Sequence, residues 1–153
     1  MDKIKYRMYG LVPYNISPIQ QGIQFGHAVV EYQLKYGHTK AYKQWSKHDK
    51  TFIILNGGTT NLGNNNSGYI GSLNKHLESL HSENVITAEF YEEDLGNQLT
   101  AVVFLVDERV FDKEYYPDFD FDDLDLEYND WVNVIGGKEN VFLRSFLPKF
   151  KLA

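Results

Sequence analysis

The sequence predicts a single-domain α/β sandwich, with a mixed sheet of about four strands flanked by helices. Three observations point there. At 153 residues, 42% apolar and 24% charged, the chain holds enough apolar surface for one core without disulfides or a structural metal. Apolar runs of strand length alternate with segments of helical period, and helix crossovers suit parallel neighbours. The last two runs are joined only by the short EEDLGNQL segment, which suits an antiparallel pair.

The elements follow in order. Tyr6 to Pro13 is a short β-like run. Ser17-Pro18-Ile19-Gln20 is then a capping box with Ser at N-cap, Pro at N1 and Gln at N3. The helix it starts is expected to reach Tyr36, with Ile19, Ile23, Val30 and Leu34 as its apolar stripe and Gly37 as its C′ residue. Thr39 caps a second, shorter helix over residues 40–49, with Tyr42 and Trp45 on one face. Thr51 to Asn56 is a compact strand, and residues 57–68 form a Gly/Asn-rich loop. Tyr69 to Ser82 reads as a helix carrying Leu73, Leu77 and Leu80. Val85 to Tyr91 and Thr100 to Val106 are the last two strands. Asp107 to Glu114 begins a short helix, and the tail from Gly137 forms another, stopped by Pro148.

The net charge of −6 hides an asymmetry: residues 1–50 carry a balance of +5 and residues 51–153 one of −11. Such an acidic remainder argues against a surface that coats duplex nucleic acid, whose affinity comes from neutralising many phosphates. No apolar run has the length of a signal peptide or of the ~18 residues that span a bilayer. With no cysteine, thiolate metal sites and a Cys nucleophile are excluded. The expectation is a cytoplasmic protein with no membrane partner. The 11 Tyr and 10 Phe suggest a ring-lined pocket or an interface between copies, as a homodimer or higher homo-oligomer.

Along the first helix Gln20, Gln24, His27 and Glu31 stack four polar side chains in one stripe. Glutamine offers a donor and an acceptor, and histidine exchanges a proton near neutral pH. These residue types suit a ligand-reading surface centred on Gln24 and His27.

Gln24-Phe25-Gly26-His27-Ala28 resembles the Gln-x-Gly-His-Ala element of type 2 peptidyl-tRNA hydrolases. The similarity continues through Trp45, the Lys-led apolar strand Lys50 to Leu55, the leucine-spaced helix, and Thr100 opening the last strand. It covers roughly residues 5–107, leaving the acidic segment 118–130 and the C-terminal helix as an extension. The resemblance implies an α/β fold and ester hydrolysis, with His27 and an acidic partner activating water; from the residues themselves, Glu92 and Asp94, just before Thr100, are carboxylates that could face His27. The chain departs from that family at Gln20, where a lysine is usual. It departs again at Glu89 to Asp94, which reads EFYEED in place of a segment ending in Arg-Thr-Gln. Its acidic, compact character is also similar to small proteins of tailed bacteriophages, where neutralising a nucleotide signal of host immunity would be a role.

Two further segments carry candidate chemistry. Asn56, Gly57, Gly58, Thr59 and Thr60 follow a strand end, where α/β folds bind ligands, and their N–H groups and hydroxyls could cradle phosphate. Residues 118–130, with seven acids and no base, lack the turn glycine and terminal glutamate of a calcium loop. They read as an edge strand or docking segment. No histidine spacing matches a metal motif, and no cofactor is expected. The leading expectation is a protein that binds or cleaves a small phosphate-bearing ligand. Gln24, His27 and Asp94 would act on it, and Gln20, Asn56 to Thr60, Glu92 and Thr100 would hold it. Peptidyl-tRNA hydrolysis and a noncatalytic interaction protein are the alternatives.

Overall fold

The computed structural model describes residues 3–60 and 70–153. Its centre is β1 (Tyr6–Val12), which pairs in parallel with β2 (Thr51–Asn56) and antiparallel with β4 (Gln98–Asp107); β3 (Ala88–Glu92) closes the sheet on the far side of β4 in the order β2-β1-β4-β3. The expected single-domain α/β architecture with a mixed four-stranded sheet is therefore present. The parallel pair is bridged by helices and the β3–β4 pair by a turn, as the connection lengths require.

Successive β1 residues point to opposite faces. Met8 and Val12 join one apolar cluster with α1 (Pro18–Tyr36) and α2 (Lys40–Gln44). Tyr9 and Leu11 join another with α3 (Ser72–Ser82), α4 (Glu108–Phe111) and α6 (Lys138–Phe146). The helix α5 (Tyr128–Val134) sits in the extension. The result is helices on both faces of one sheet.

The cap of α1 is as expected: Ser17 Oγ accepts the Gln20 N–H at 3.2 Å, with Pro18 in the first turn. The buried face is not. Ile19 is 76% and Leu34 74% exposed, with Ile23 and Val30 exposed beside them, while Gln24, Phe25, Ala28 and Tyr32 face the sheet. Both faces of the helix carry apolar residues at helical spacing, so periodicity identifies the helix without choosing its inner side. The choice is made by β1, where Gly10 leaves the room that the Phe25 ring fills.

After α2 one turn of π-helix, Trp45–Asp49, ends at Lys50 in the left-handed region and returns the chain to β2. Trp45 Nε1 donates to Thr51 O at 2.9 Å and ties that turn to the strand. Element starts differ from expectation: α3 starts at Ser72, with Tyr69 outside the described residues, β3 at Ala88 rather than Val85, and β4 at Gln98 rather than Thr100. Gly37 closes α1 with right-handed backbone instead of the left-handed turn that favours glycine.

The acidic segment is not an edge strand. Asp120 and Asp123 accept the N–H groups of Asp122 and Asp125 at 2.9 and 3.0 Å, and such Asx turns divert the backbone from a β ladder. The C-terminal helix α6 packs Leu143 and Phe146 into the chain's core. Past it, a short turn holding Pro148 leads the last residues back along β2, where Asn56 N donates to Lys151 O at 2.9 Å.

Candidate functional site

The site grows from a β-bulge. Phe90 pairs with Ala101 and Tyr91 with Leu99, leaving Thr100 as an extra residue on β4. Strict alternation would send Leu99 and Ala101 to one face. Here Leu99 joins the α3 side and Ala101 the α1 side, so the bulge re-aims Thr100 toward α1. Its hydroxyl donates to Gln24 Oε1 at 2.8 Å and lies 3.2 Å from Phe90 O. Gln24 Nε2 in turn donates to Gln20 Oε1 at 3.2 Å.

Gln24 is only 1% exposed and Thr100 is fully buried, while Gln20 is exposed. The three side chains therefore form a hydrogen-bonded line from the apolar layer to the surface. A buried amide is tolerated only when paired, so this line sets the rotamers of both glutamines.

His27 lies one turn further along α1, exposed, with its ring 4.5 Å from that of Phe90. Phe90 thus supports His27 with its ring and faces Thr100 with its carbonyl. Among the described residues neither ring nitrogen of His27 is hydrogen bonded, so both are open to a ligand. Next along β3, partial burial holds the Tyr91 phenol above its ordinary pKa, with Glu89 adding to the effect.

The remaining candidates stand apart. Glu92 leads into the single 3₁₀ turn of Glu93–Leu95, closed by Asn97 N donating to Glu92 O at 2.9 Å. Among the described residues neither Glu92 nor Asp94 bonds His27, so no carboxylate fixes its tautomer. The loop after β2 belongs to the α3 face, and the N–H groups of Gly57, Gly58 and Thr59 are already used. Gly57 N donates to Val12 O at 2.7 Å, Gly58 N to Asn56 Oδ1 at 2.9 Å and Thr59 N to Ser72 Oγ at 2.9 Å. A phosphate nest there would have to break bonds that anchor α3. Thr60 keeps a buried Oγ1 with no partner among the described residues.

Phe90 is the member of the site that sequence reasoning passed over. Its role depends on the bulge, and nothing in the residues 88–101 marks the place where the ladder slips. No helix among the described residues is long and apolar enough to cross a membrane. No protein-family model matches the chain, and no curated protein matches it.

Proposed function

We propose that the chain captures a small phosphate-bearing ligand of nucleotide size on the surface formed by Gln20 and His27. The observation that carries this reading is the exposed imidazole of His27, both nitrogens unbonded among the described residues, seated on Phe90 one turn from the buried Gln24–Thr100 bond. A protonated imidazole gives a charge-assisted bond to a phosphate oxygen, and the Gln20 amide, held by Gln24, adds a neutral contact. One small anion needs only such local donors, whereas a tRNA body needs many cations that the acidic chain does not offer. Capture is favoured over water activation because, among the described residues, no carboxylate is bonded to His27 to orient it as a base.

Peptidyl-tRNA hydrolysis is the second reading. The element order and the Gln24–Thr100 bond favour it, since both residues lie in the stretch that resembles that family. Native mass spectrometry of the purified protein, followed by titration with nucleotides and cyclic dinucleotides, tests the first reading. His27→Ala is expected to keep the wild-type melting temperature and to lose about 1.5–3 kcal/mol of binding. Hydrolysis of peptidyl-tRNA that depends on His27, with no nucleotide bound, would replace capture by the second reading. Ligand behaviour unchanged in both His27→Ala and Gln24→Ala would remove the site.

A further inference from the structure

On β1 the inward positions that face α3, α4 and α6 are Arg7, Tyr9 and Leu11. An arginine at an inward position of a central strand needs an explanation. Its Nη1 donates to Tyr9 Oη at 3.3 Å and its guanidinium lies 4.0 Å over the Phe111 ring. No carboxylate pairs with it among the described residues, and its Nε is buried without a partner. Arg144 of α6 reaches the same place and is 6% exposed. Its Nη1 donates to Arg109 O at 2.8 Å and its Nη2 to Asp118 Oδ1 at 2.7 Å, yet its Nε too is buried and unpaired.

Three buried side-chain nitrogen or oxygen atoms lack a partner among the described residues, and two of them are these Nε atoms. Both arginines, with Lys113, line one cavity of about 300 Å³, walled by Tyr9, Ile53, Leu55, Phe111, Leu143 and Leu147. Asp118 compensates Arg144, and Lys113, 3.9 Å from the same carboxylate, is half exposed to solvent, so Arg7 is the enclosed cation left without a carboxylate among the described residues. Buried donors of this kind are costly unless an anion meets them.

We propose that this cavity binds a compact amphiphile with a carboxylate head and a hydrocarbon body. The outer N–H groups of a guanidinium donate charge-assisted bonds to a carboxylate, and one arginine without a carboxylate partner matches one negative charge. The volume corresponds to about ten water-sized units of ~30 Å³ each, which sets a ligand of roughly ten heavy atoms. The apolar walls take its body. This site lies on the opposite face of the sheet from His27, so it stands or falls independently of the function proposed above.

The test is calorimetry and thermal shift on the full chain with octanoate, octanol, octylamine, octyl phosphate and acetate. Octanoate is expected to bind saturably and raise the melting temperature, while octanol, octylamine and acetate do not. Arg7→Met is expected to weaken octanoate about ten- to hundredfold and to melt no lower than wild type without ligand, because it removes an unpaired charge. Leu147→Trp, which keeps Arg7 but fills the cavity from its rim, is expected to lose octanoate as well and serves if Arg7→Met does not fold. Equal stabilisation by octanol, tighter binding of octyl phosphate, full octanoate binding by either variant, or no response to any probe would each overturn the proposal.

Discussion

Replacing Thr100 with valine keeps the branched shape that suits a buried strand and removes one hydroxyl. That hydroxyl is the donor 2.8 Å from Gln24 Oε1, an oxygen in a side chain with 1% exposure. Without it the amide oxygen stays desolvated and unpaired, and Phe90 O loses its neighbour at 3.2 Å. An unsatisfied buried acceptor costs about 1–3 kcal/mol, and two affected acceptors place Thr100→Val in the upper half of that range. For a domain of this length ~2–3 kcal/mol lowers the melting temperature by roughly 4–12 °C. Gln24→Leu alone is expected to cost less, roughly 1 kcal/mol, because Thr100 can still donate to Phe90 O. The double variant Gln24→Leu/Thr100→Val removes donor and acceptor together, and such paired replacements are nearly neutral. It should therefore be more stable than Thr100→Val. Urea denaturation of the four proteins, followed by the fluorescence of the buried Trp45, measures the cycle. Strict additivity of the two single changes would refute the claim that Gln24 and Thr100 depend on each other.

Gly10→Ala should destabilise by about 1–3 kcal/mol or more, since the new methyl overlaps the buried Phe25 ring; denaturation midpoints check this, and an unchanged midpoint would mean that Phe25 is not locked there. Gly22→Ala and Gly26→Ala should each stabilise α1 by roughly 0.5–1 kcal/mol, because nothing lies within 4 Å of either added methyl. A loss instead, with a dimer in sedimentation, would mean that a second copy covers the Ile19, Ile23, Val30 and Leu34 stripe in solution. Burial, aided by Lys149, lowers the pKa of His76, whose ring lies 4.7 Å from that of Phe150. Its contribution is complete above the unfolded value of about 6.5 and is lost as pH falls through the lower folded value. Wild type should therefore lose more melting temperature between about pH 7.5 and 5 than His76→Gln, and parallel curves would show that His76 does not titrate against folding.

What was legible in the sequence, and what was not, follows from the range of each signal. Ser17, Pro18 and Gln20 act within one turn, so the start of α1 could be read directly. The β2 and β4 strands could be read because their apolar runs are continuous, and the four-stranded mixed sheet follows from the order of such runs. The inner face of α1 depends on Gly10, a residue on another element, and no pattern within the helix encodes that pairing. The Gln20–Gln24 step was legible as a stripe at four-residue spacing, but the Thr100 partner required a bulge between β3 and β4. Residues 118–130 misled for a different reason: their alternation of acid and apolar side chains matches a strand, but Asp120 and Asp123 accept bonds from their own backbone two residues on.

Gln24 and Arg7 break the same local rule. Each is a polar side chain at a position whose neighbours on that face are apolar, and each sits on one of the two layers that meet at β1 and β4. Their outcomes differ in a way that separates structure from binding. Gln24 is satisfied within the chain, by Thr100 and Gln20, so its amide serves to hold other groups in place. Arg7 keeps an unpaired Nε beside an apolar cavity, so its guanidinium is left to meet something from outside. A chain retains a half-buried cation with no carboxylate partner among the described residues, where a methionine would pack, only if the charge has use, and the ligand-free stability of Arg7→Met measures what that retention costs.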